Sequence, residues 1–458
     1  MSRQKKLFKH TIIYAIGNFG SKALNLLLLP FYTHALTQAQ YGTIDIILIS
    51  LILLAPIVSA NMGEAVFRFS VDGKYKKEQI LNIGLITSLI GLITFILLIP
   101  VIDIYLDDLY LLISFTLLLV SFILQSILKQ YTRAIEKLNL YMLSDFIQVI
   151  VFVTLVVLFI SKYELGIYGF IYAKIISLIV DLIFLFWGTK AYKAFSSGIN
   201  LSHGKEMLYF GAPLIPNSLM WWISNASDRY ILATMVGLSS VGIYSVATKF
   251  PIILAQLSTV FFKSWQSSAI NEDTAKDSSE YQTKVFNAYS AVLFLMASCV
   301  LVFIKPLMII LVSDDYYSAW VYVPFLLLGS VFSAMAGFLG INYNVAKKTK
   351  KALFSTIVAA LINISLNFIL IPYYSIMGAC IATVISFAVL LGIRVYETPQ
   401  YKDIKFDYKL LTILLIIFSL QTIVMFIFTA YVDAFIQLIL FLFSMYSCRK
   451  IYIKRKSI

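Results

Sequence analysis

Two apolar segments carry polar side chains along one helical face. In one of them Asp228 and Arg229 stand side by side within ISNASDRYILATM, residues 223–235. Residues that recur at intervals of three, four and seven share a face of a helix. The two sets with this spacing are Asn217, Trp221, Ser224, Asn225 and Asp228, and Tyr14, Asn18, Ser21, Lys22 and Asn25. Lipid would leave such groups unsatisfied, so both faces are expected to line a cavity that binds a polar or charged ligand.

Asp228 and Arg229 lie about 100° apart around a helix, which predicts that each has a partner other than its neighbour. One interpretation places both residues in the cavity. The other places them at the outer interface, where the Arg229 side chain would extend towards the head groups. Because the polar face continues inward from Asp228, the cavity is favoured.

Other charges lie inside apolar segments. An interfacial structural role fits equally well for the charges near segment ends, which are Glu64, Arg68, Asp145, Lys263 and Arg394. A functional role is favoured for the deeper charges, because a charge in the bilayer core is costly unless it is paired or used. These deeper charges are Lys22, Lys174, Asp181 and Lys249. Together with Asp45, Asp228 and Arg229, these two groups make up the charged candidates for the cavity, of which seven are basic and five are acidic. This mildly cationic balance suits an anionic head group such as a phosphate.

Composition indicates the elements that must position these residues. The chain of 458 residues is 60% hydrophobic and 13% charged, with a mean hydropathy of +0.88, which indicates a membrane protein. Windows of roughly 20 apolar residues, enough to span a bilayer, recur about fourteen times. The predicted spans are residues 11–33, 43–69, 80–104, 109–130, 140–160, 167–189, 208–237, 241–265, 285–304, 319–343, 352–371, 376–394, 410–430 and 434–451.

The formal charge of +13 could suggest nucleic acid, but its distribution favours topology. Lys and Arg concentrate in every second loop, and the loops between hold only Lys162 and Lys305. This asymmetry predicts that both termini face the cytoplasm and that the number of spans is even. The charge therefore argues for a multi-pass protein of the cytoplasmic membrane with no nucleic-acid partner.

The sequence repeats itself. The residues Ile167, Gly169, Ala173, Ile176 and Ser177 recur in the same order as Ile376, Gly378, Ala382, Ile385 and Ser386. A second echo pairs YGTIDIILISLILL from residue 41 with VGIYSVATKFPIIL from residue 241. Similar composition could produce one echo, but two at nearly the same offset favour duplication. We therefore predict an all-α polytopic membrane protein. Its two six-helix lobes, residues 1–195 and 196–400, would precede two additional transmembrane helices and a basic cytoplasmic tail, residues 401–458.

Motifs for catalysis or cofactor binding are missing from the sequence. It has neither a Walker-type glycine loop nor HExxH. The three cysteines are scattered, and the three histidines stand singly near segment ends, so neither a metal nor another cofactor is expected. Two duplicated lobes suit alternating access to a shared midplane site. The sequence thus predicts a transporter rather than an enzyme.

The run MLYFGAPLIPNSLMWWISNASDRYILATMVGLSSVGIYSVATKF, from residue 207, resembles the Wzx-type polysaccharide-biosynthesis flippases. These oligosaccharide-lipid translocators belong to the multidrug/oligosaccharidyl-lipid/polysaccharide exporter superfamily. INYNVAKKTKKALFSTIVAALINISLNFILIPYYSIMGACIAT, from residue 341, and QYGTIDIILIS, from residue 40, also match. The resemblance implies translocation of undecaprenyl-pyrophosphate-linked oligosaccharide repeat units to the outer leaflet of a bacterial cytoplasmic membrane, for capsule or O-antigen. It also implies coupling to an ion gradient or the membrane potential, and a polysaccharide polymerase and chain-length machinery as possible partners.

Asp228 and Arg229 lie in the segment that matches the family, so the resemblance includes them. The proposed roles of Lys22, Lys174 and Lys249 are supported only by the helical-face argument. The predicted substrate-binding residues are Lys22, Asn25, Lys174, Asn225, Arg229 and Lys249. Asp145, Asp181 and Asp228 are predicted to balance charge or to carry a coupling ion. Three alternatives stay open: a flippase for lipid II or teichoic-acid precursors, an ion-coupled drug antiporter, and a membrane glycan polymerase. For the antiporter we would expect a more acidic cavity and twelve helices.

Overall fold

The computed structural model describes residues 28–72, 74–106, 108–198, 200–271, 278–345, 348–400, 402–428 and 430–456. Within these ranges the side chains at 102–106, 217, 221, 224–225, 260, 263–264, 266–271, 344–345, 349, 430–431 and 450–456 are left undescribed. All regular elements of the described residues are helices. The predicted all-α class is therefore confirmed.

Nine α-helices occupy the first half of the described chain. They are α1 Leu29–Ala35, α2 Gln38–Val58, α3 Met62–Val71, α4 Lys77–Leu106, α5 Leu109–Ala134, α6 Leu138–Val157, α7 Gly166–Thr189, α8 Leu201–Gly211 and α9 Leu214–Met235. A π-helical turn, Leu158–Lys162, extends α6, and a 3₁₀ helix, Ala191–Ser196, follows α7.

Seven α-helices follow in the second half. They are α10 Leu238–Asn271, α11 Ser278–Leu311, α12 Val323–Val345, α13 Thr349–Tyr374, α14 Ile376–Glu397, α15 Tyr408–Ile427 and α16 Ala430–Lys456. Short 3₁₀ helices, Asp314–Tyr322 and Thr398–Gln400, precede α12 and follow α14.

Twelve helical stretches of the described residues are long and apolar enough to cross a bilayer. They correspond to predicted spans two to six and eight to fourteen. The first predicted span lies mostly in residues 1–27, outside the described part. The seventh corresponds to α9, which has 22 residues but carries Ser218, Asp228 and Arg229. About fourteen spans thus remains the count that fits the chain.

Two predicted spans are interrupted. The span at 43–69 was predicted as one helix, but α2 ends at Val58 and α3 starts at Met62. Between them Ala60 and Asn61 adopt left-handed backbone angles, with φ of 48° and 57°. The span at 208–237 breaks between α8 and α9 next to Pro213, whose ring cannot continue the hydrogen-bond ladder. Each of these two predicted spans is therefore divided into two helices.

The chain forms two compact units, which divide between Ala226 and Ser227 inside α9. The predicted lobe boundary at 195/196 comes from the repeat rather than from packing, and it stays a prediction. In the first unit α7 buries Gly169, Ala173 and Ser177. In the second unit α14 buries the matching residues of the echo, Gly378, Ala382 and Ser386.

Close helix packing in the first unit requires a glycine at position 91. A Cβ atom on Gly91, in α4, would lie 1.8 Å from the carbonyl oxygen of Val58. Small residues permit such close approach of helix backbones in membranes. We expect Gly91→Ala to destabilise the protein by about 1–3 kcal/mol, since overpacking forces backbone shifts, and to lower the melting temperature in detergent.

The control is Gly392→Ala in α14, because no atom lies within 4 Å of a Cβ built there. Alanine favours a helix more than glycine by about 1 kcal/mol, so this variant should melt at or above the wild-type temperature. Equal melting of the Gly91 variant and wild type would contradict the packing account.

Candidate functional site

A buried cluster of charges, formed by Lys129, Asp145 and Asp181, joins three helices of the first unit. The Lys129 ammonium on α5 forms an ion pair with Asp145 on α6 and lies 3.3 Å from Asp181 Oδ2 on α7. It also donates to Gln148 Oε1 at 3.2 Å. Gln125, one helical turn before Lys129, donates to Asp181 Oδ2. We call these three charged residues the charge cluster.

The charge cluster holds one cation and two carboxylates. The side chain of Asp181 is fully buried, while those of Lys129 and Asp145 are 16% and 19% exposed. Asp181 Oδ1 accepts no hydrogen bond from a described residue. Buried charges are costly unless they are paired, and this group carries an excess negative charge when all three side chains are ionised. This charge would be neutralised by a proton, by another small cation or by the neighbouring ammonium of Lys174.

Lys174 lies on α7, two turns before Asp181. Its ammonium is 5.0 Å from the centre of the Phe152 ring, a cation–π contact with α6. Lys174 is also within electrostatic reach of Lys129 and Asp181. The predicted residues Asp145, Asp181 and Lys174 therefore come together in one region of the first unit.

The second unit has a separate group around Asp228, Arg229 and Tyr244, which we call the α9–α10 pair site. Asp228 accepts a hydrogen bond from the Tyr244 hydroxyl on α10 and one from the Arg229 backbone amide at 2.9 Å. The Arg229 guanidinium lies 5.4 Å from the centre of the Tyr244 ring and 3.5 Å from Thr248 Oγ1. The predicted residues Asp228 and Arg229 thus sit where α9 meets α10.

Asp228 and Arg229 each contact another residue, Tyr244 and Thr248, as expected, but the expectation that they do not also pair with each other was wrong. Arg229 Nη1 lies 3.5 Å from Asp228 Oδ1. Although the two Cβ atoms diverge on the helix, the arginine side chain is long enough to curve back, and the Tyr244 ring supports its guanidinium there. Both side chains are mostly buried, with 13% of Arg229 and 10% of Asp228 exposed.

The structure gives less information on the remaining predicted site residues. Lys249 is half-buried on α10, one residue beyond Thr248. Lys22 and Asn25 lie outside the described residues, and only the backbone of Asn225, in α9, is described. It stays a prediction that the polar face of residues 14–25 lines the cavity predicted from the polar face of residues 217–228.

Arg394 has a structural role that ties three helices together. Its guanidinium donates to Ala336 O on α12 at 2.7 Å and to Thr356 Oγ1 on α13 at 3.1 Å. It also packs so closely against Gly340 that a Cβ there would lie 2.5 Å from Nη1. Of the two roles left open for Arg394, the contacts favour the structural one.

Lys305 was expected in an outer loop, and this expectation was wrong. It lies inside α11, is 8% exposed, and pairs with Asp433 on α16 at 3.0 Å. Its ammonium also donates to Met425 O at 2.7 Å, at the end of α15. The predicted span stopped at residue 304 because a lysine ends an apolar run, but here a distant carboxylate allows the helix to continue to Leu311.

Sequence reasoning also missed Lys129 and Tyr244. Lys129 lies at the last turn of the predicted span 109–130, where a lysine is ordinarily an interfacial residue. The detectable signal was its spacing of four from Gln125, which marks a polar face on α5. Tyr244 gave no comparable signal, because buried tyrosines are common in apolar helices.

The chain resembles known proteins in family, in sequence and in fold. A family described as "Polysaccharide biosynthesis protein" matches residues 7–265, more than half of the chain. The probable low-salt glycan biosynthesis flippase Agl15 of Haloferax volcanii is 23% identical over 248 residues. That match covers 52% of this chain and 51% of the relative, so the chain spans about half the length of the curated relative.

Solved structures share the fold. The lipid II flippase MurJ in its inward closed conformation matches with a TM-score of 0.75 and 14% identity, over 98% of this chain and 100% of that one. A multidrug resistance MATE family transporter of the MOP superfamily, in its inward-facing conformation, matches with a TM-score of 0.61 and 18% identity. It covers 87% of this chain and 94% of its own. At these identities the likeness concerns the fold alone.

Proposed function

Since the chain belongs to the polysaccharide biosynthesis protein family, we propose that it is a flippase for lipid-linked oligosaccharides. Its substrate would be an undecaprenyl-pyrophosphate-linked repeat unit, moved from the cytoplasmic to the outer leaflet by alternating access for capsule or O-antigen synthesis. The family match carries this proposal. The fold shared with a lipid II flippase and a drug transporter supports the transport mechanism without choosing among substrates.

Cationic side chains provide a means of binding the pyrophosphate. Arg229 has a planar guanidinium suited to bidentate contact with phosphate oxygens, and Asp228 with Tyr244 orients it. Lys174 is the predicted substrate-binding cation of the first unit. The proposed substrate-binding set is completed by Lys22, Asn25, Asn225 and Lys249. The long isoprenoid would stay in lipid while the head group crosses.

The charge cluster provides a means of coupling transport to an ion. Asp145 and Asp181 share one lysine, so binding of a proton or another cation changes the net charge of a buried site. A change of this size alters helix packing in a low-dielectric interior. Asp228 serves in charge balance at the α9–α10 pair site. These assignments make the cluster the coupling element and Arg229 the principal substrate contact.

The protein is a transporter and not an enzyme. The relatives described above bear the names of flippases or transporters. Its place would be the bacterial cytoplasmic membrane, with both termini in the cytoplasm as the Lys and Arg asymmetry predicts. A polysaccharide polymerase and chain-length machinery would act on the product, at the outer face.

The test is the distribution of lipid-linked sugars between leaflets in cells lacking the gene. Single repeat units trapped on the cytoplasmic leaflet, with surface polymer lost and restored by the wild-type gene, are the expected result. If lipid II accumulates instead, the substrate assignment is wrong. Single units that reach the outer leaflet without polymerisation would indicate a polymerase, and an unchanged profile would favour the drug antiporter.

A further inference from the structure

A surface segment connects α7 to α9 without crossing the membrane. It turns at Lys190, which has a left-handed φ of 61°, and continues through the 3₁₀ helix Ala191–Ser196 and α8. With six and 11 residues, these helices are too short to span a bilayer. We call residues 187–211 the connecting segment.

One face of the connecting segment is fixed to the first unit. Ala191, Ala194 and Met207 are at most 1% exposed. Glu206 on α8 accepts a hydrogen bond from the Tyr75 hydroxyl at 2.7 Å. This bond to the carboxylate raises the pKa of Tyr75 above its ordinary value. The orientation of the segment is therefore set by packing.

Large apolar side chains cover the opposite face. Those that are exposed are Trp187 at 66%, Tyr192 at 41%, Phe195 at 60%, Leu201 at 85% and Tyr209 at 72%. The Trp187 and Tyr192 rings contact each other with centroids 5.8 Å apart. Aromatic residues with polar edges prefer the boundary between acyl chains and head groups. The exposed face thus fits the surface of a bilayer rather than open water.

Lysines alternate with these apolar side chains. Lys190, Lys193 and Lys205 are exposed, and the Lys205 ammonium lies 5.9 Å from the centre of the Tyr209 ring. Glu206 is the one acidic residue among positions 187–211, and its carboxylate is bound to Tyr75. The segment therefore presents three cations next to an apolar surface. Aromatic and basic residues together favour binding to anionic lipid surfaces.

We propose that the connecting segment binds the phosphate head groups of anionic phospholipids in the leaflet it faces, through Lys190, Lys193 and Lys205, with its aromatic face inserted at the acyl boundary. Charge complementarity selects anionic lipids over zwitterionic ones. The proposal concerns bulk phospholipid and is independent of the transported substrate. Since the segment leads directly into α9, the lipid contact would hold the chain in place immediately before the division between units.

The test measures binding of phosphatidylglycerol and phosphatidylcholine, with identical acyl chains, to the purified full-length protein by native mass spectrometry. The test variant is Lys190→Gln/Lys193→Gln/Lys205→Gln. The control is Lys348→Gln/Lys350→Gln/Lys409→Gln, which removes three exposed lysines elsewhere. Because each lysine near an anionic surface adds to the attraction, we expect the test variant to bind phosphatidylglycerol at least tenfold more weakly, and the control to bind within twofold of wild type.

Equal weakening in both variants would overturn the proposal, because it would reflect net charge alone. Equal binding of the two lipids by wild type would also overturn it. Melting temperature in detergent checks the fold of each variant. If the triple variant does not fold, Lys193→Gln alone is compared with Lys350→Gln. Equal weakening of these two single variants, or equal binding of the two lipids by wild type, would then overturn the proposal.

Discussion

Lys129→Met is expected to reduce sharply both the amount of folded protein and its melting temperature. Lys129 is the cation of the charge cluster, in contact with Asp145 and 3.3 Å from Asp181. Its removal leaves two buried carboxylates without their counter-charge. Breaking a buried ion pair from one side costs about 3–5 kcal/mol, a large part of the stability of a typical protein. Thermal unfolding in detergent, followed by size-exclusion chromatography, measures the effect.

A charge-neutral variant separates stability from transport. Lys129→Met/Asp145→Asn/Asp181→Asn removes all three charges while nearly preserving side-chain volume, so it should recover most of the lost melting temperature. Glycan export should nevertheless remain absent, because the cluster would have no group that binds an ion. The matched control is Lys162→Met, whose lysine is exposed at the end of the π-helical turn that extends α6.

Two results would contradict this account of the charge cluster. Wild-type melting of Lys129→Met would show that the ion pairs contribute little to the fold. Normal export by the neutral triple variant would show that the cluster is structural and does not couple an ion.

Arg229→Ala is expected to abolish most glycan export while leaving the protein folded. Asp228 keeps its bonds to the Tyr244 hydroxyl and to the backbone amide of residue 229 when the guanidinium is removed. The broken contact with Asp228 should lower the melting temperature less than Lys129→Met does, and the main loss falls on substrate binding. Hydrogen bonds to charged groups contribute about 1.5–3 kcal/mol, which predicts a decrease in export of roughly 10- to 100-fold.

Arg229→Lys keeps the charge but loses the bidentate geometry, so it should retain partial export. Arg68→Ala serves as the control, because Arg68 is an exposed arginine on α3. The measurement is surface polysaccharide per folded protein in cells complemented with each variant. Full export by Arg229→Ala at a normal protein level would remove Arg229 from the substrate site.

Most of the fold could be predicted from the sequence because hydropathy directly reports burial in lipid. The breaks between α2 and α3 and between α8 and α9 could not be predicted, since they depend on local conformation. The one local signal near Ser59 is Asn61, a residue type enriched in left-handed conformations, and it does not predict that Ala60 takes such angles too. The true length of α11 was also hidden, because Lys305 is tolerated only through Asp433, a residue more than a hundred positions away.

The candidate site was predicted in part. Asp145, Asp181 and Asp228 stood out because a carboxylate inside an apolar helix needs a partner. The identity of the partner depends on which helices pack together, and periodicity within one helix does not give this. Lys129 was overlooked for that reason, and the contact between Asp228 and Arg229 was excluded by an argument about Cβ directions that ignored the reach of the arginine side chain.

The most direct test of the proposed function uses the purified protein in sealed vesicles that contain undecaprenyl-pyrophosphate-linked oligosaccharide. Oxidation by external, membrane-impermeant periodate measures how much sugar lies in the outer leaflet. Without protein about half of the sugar should stay protected. With wild-type protein the protected sugar should become accessible as the two leaflets exchange. With Arg229→Ala the sugar of the inner leaflet should stay protected. Sugar that remains protected with folded wild-type protein, under an imposed ion gradient in either direction, would contradict the flippase assignment.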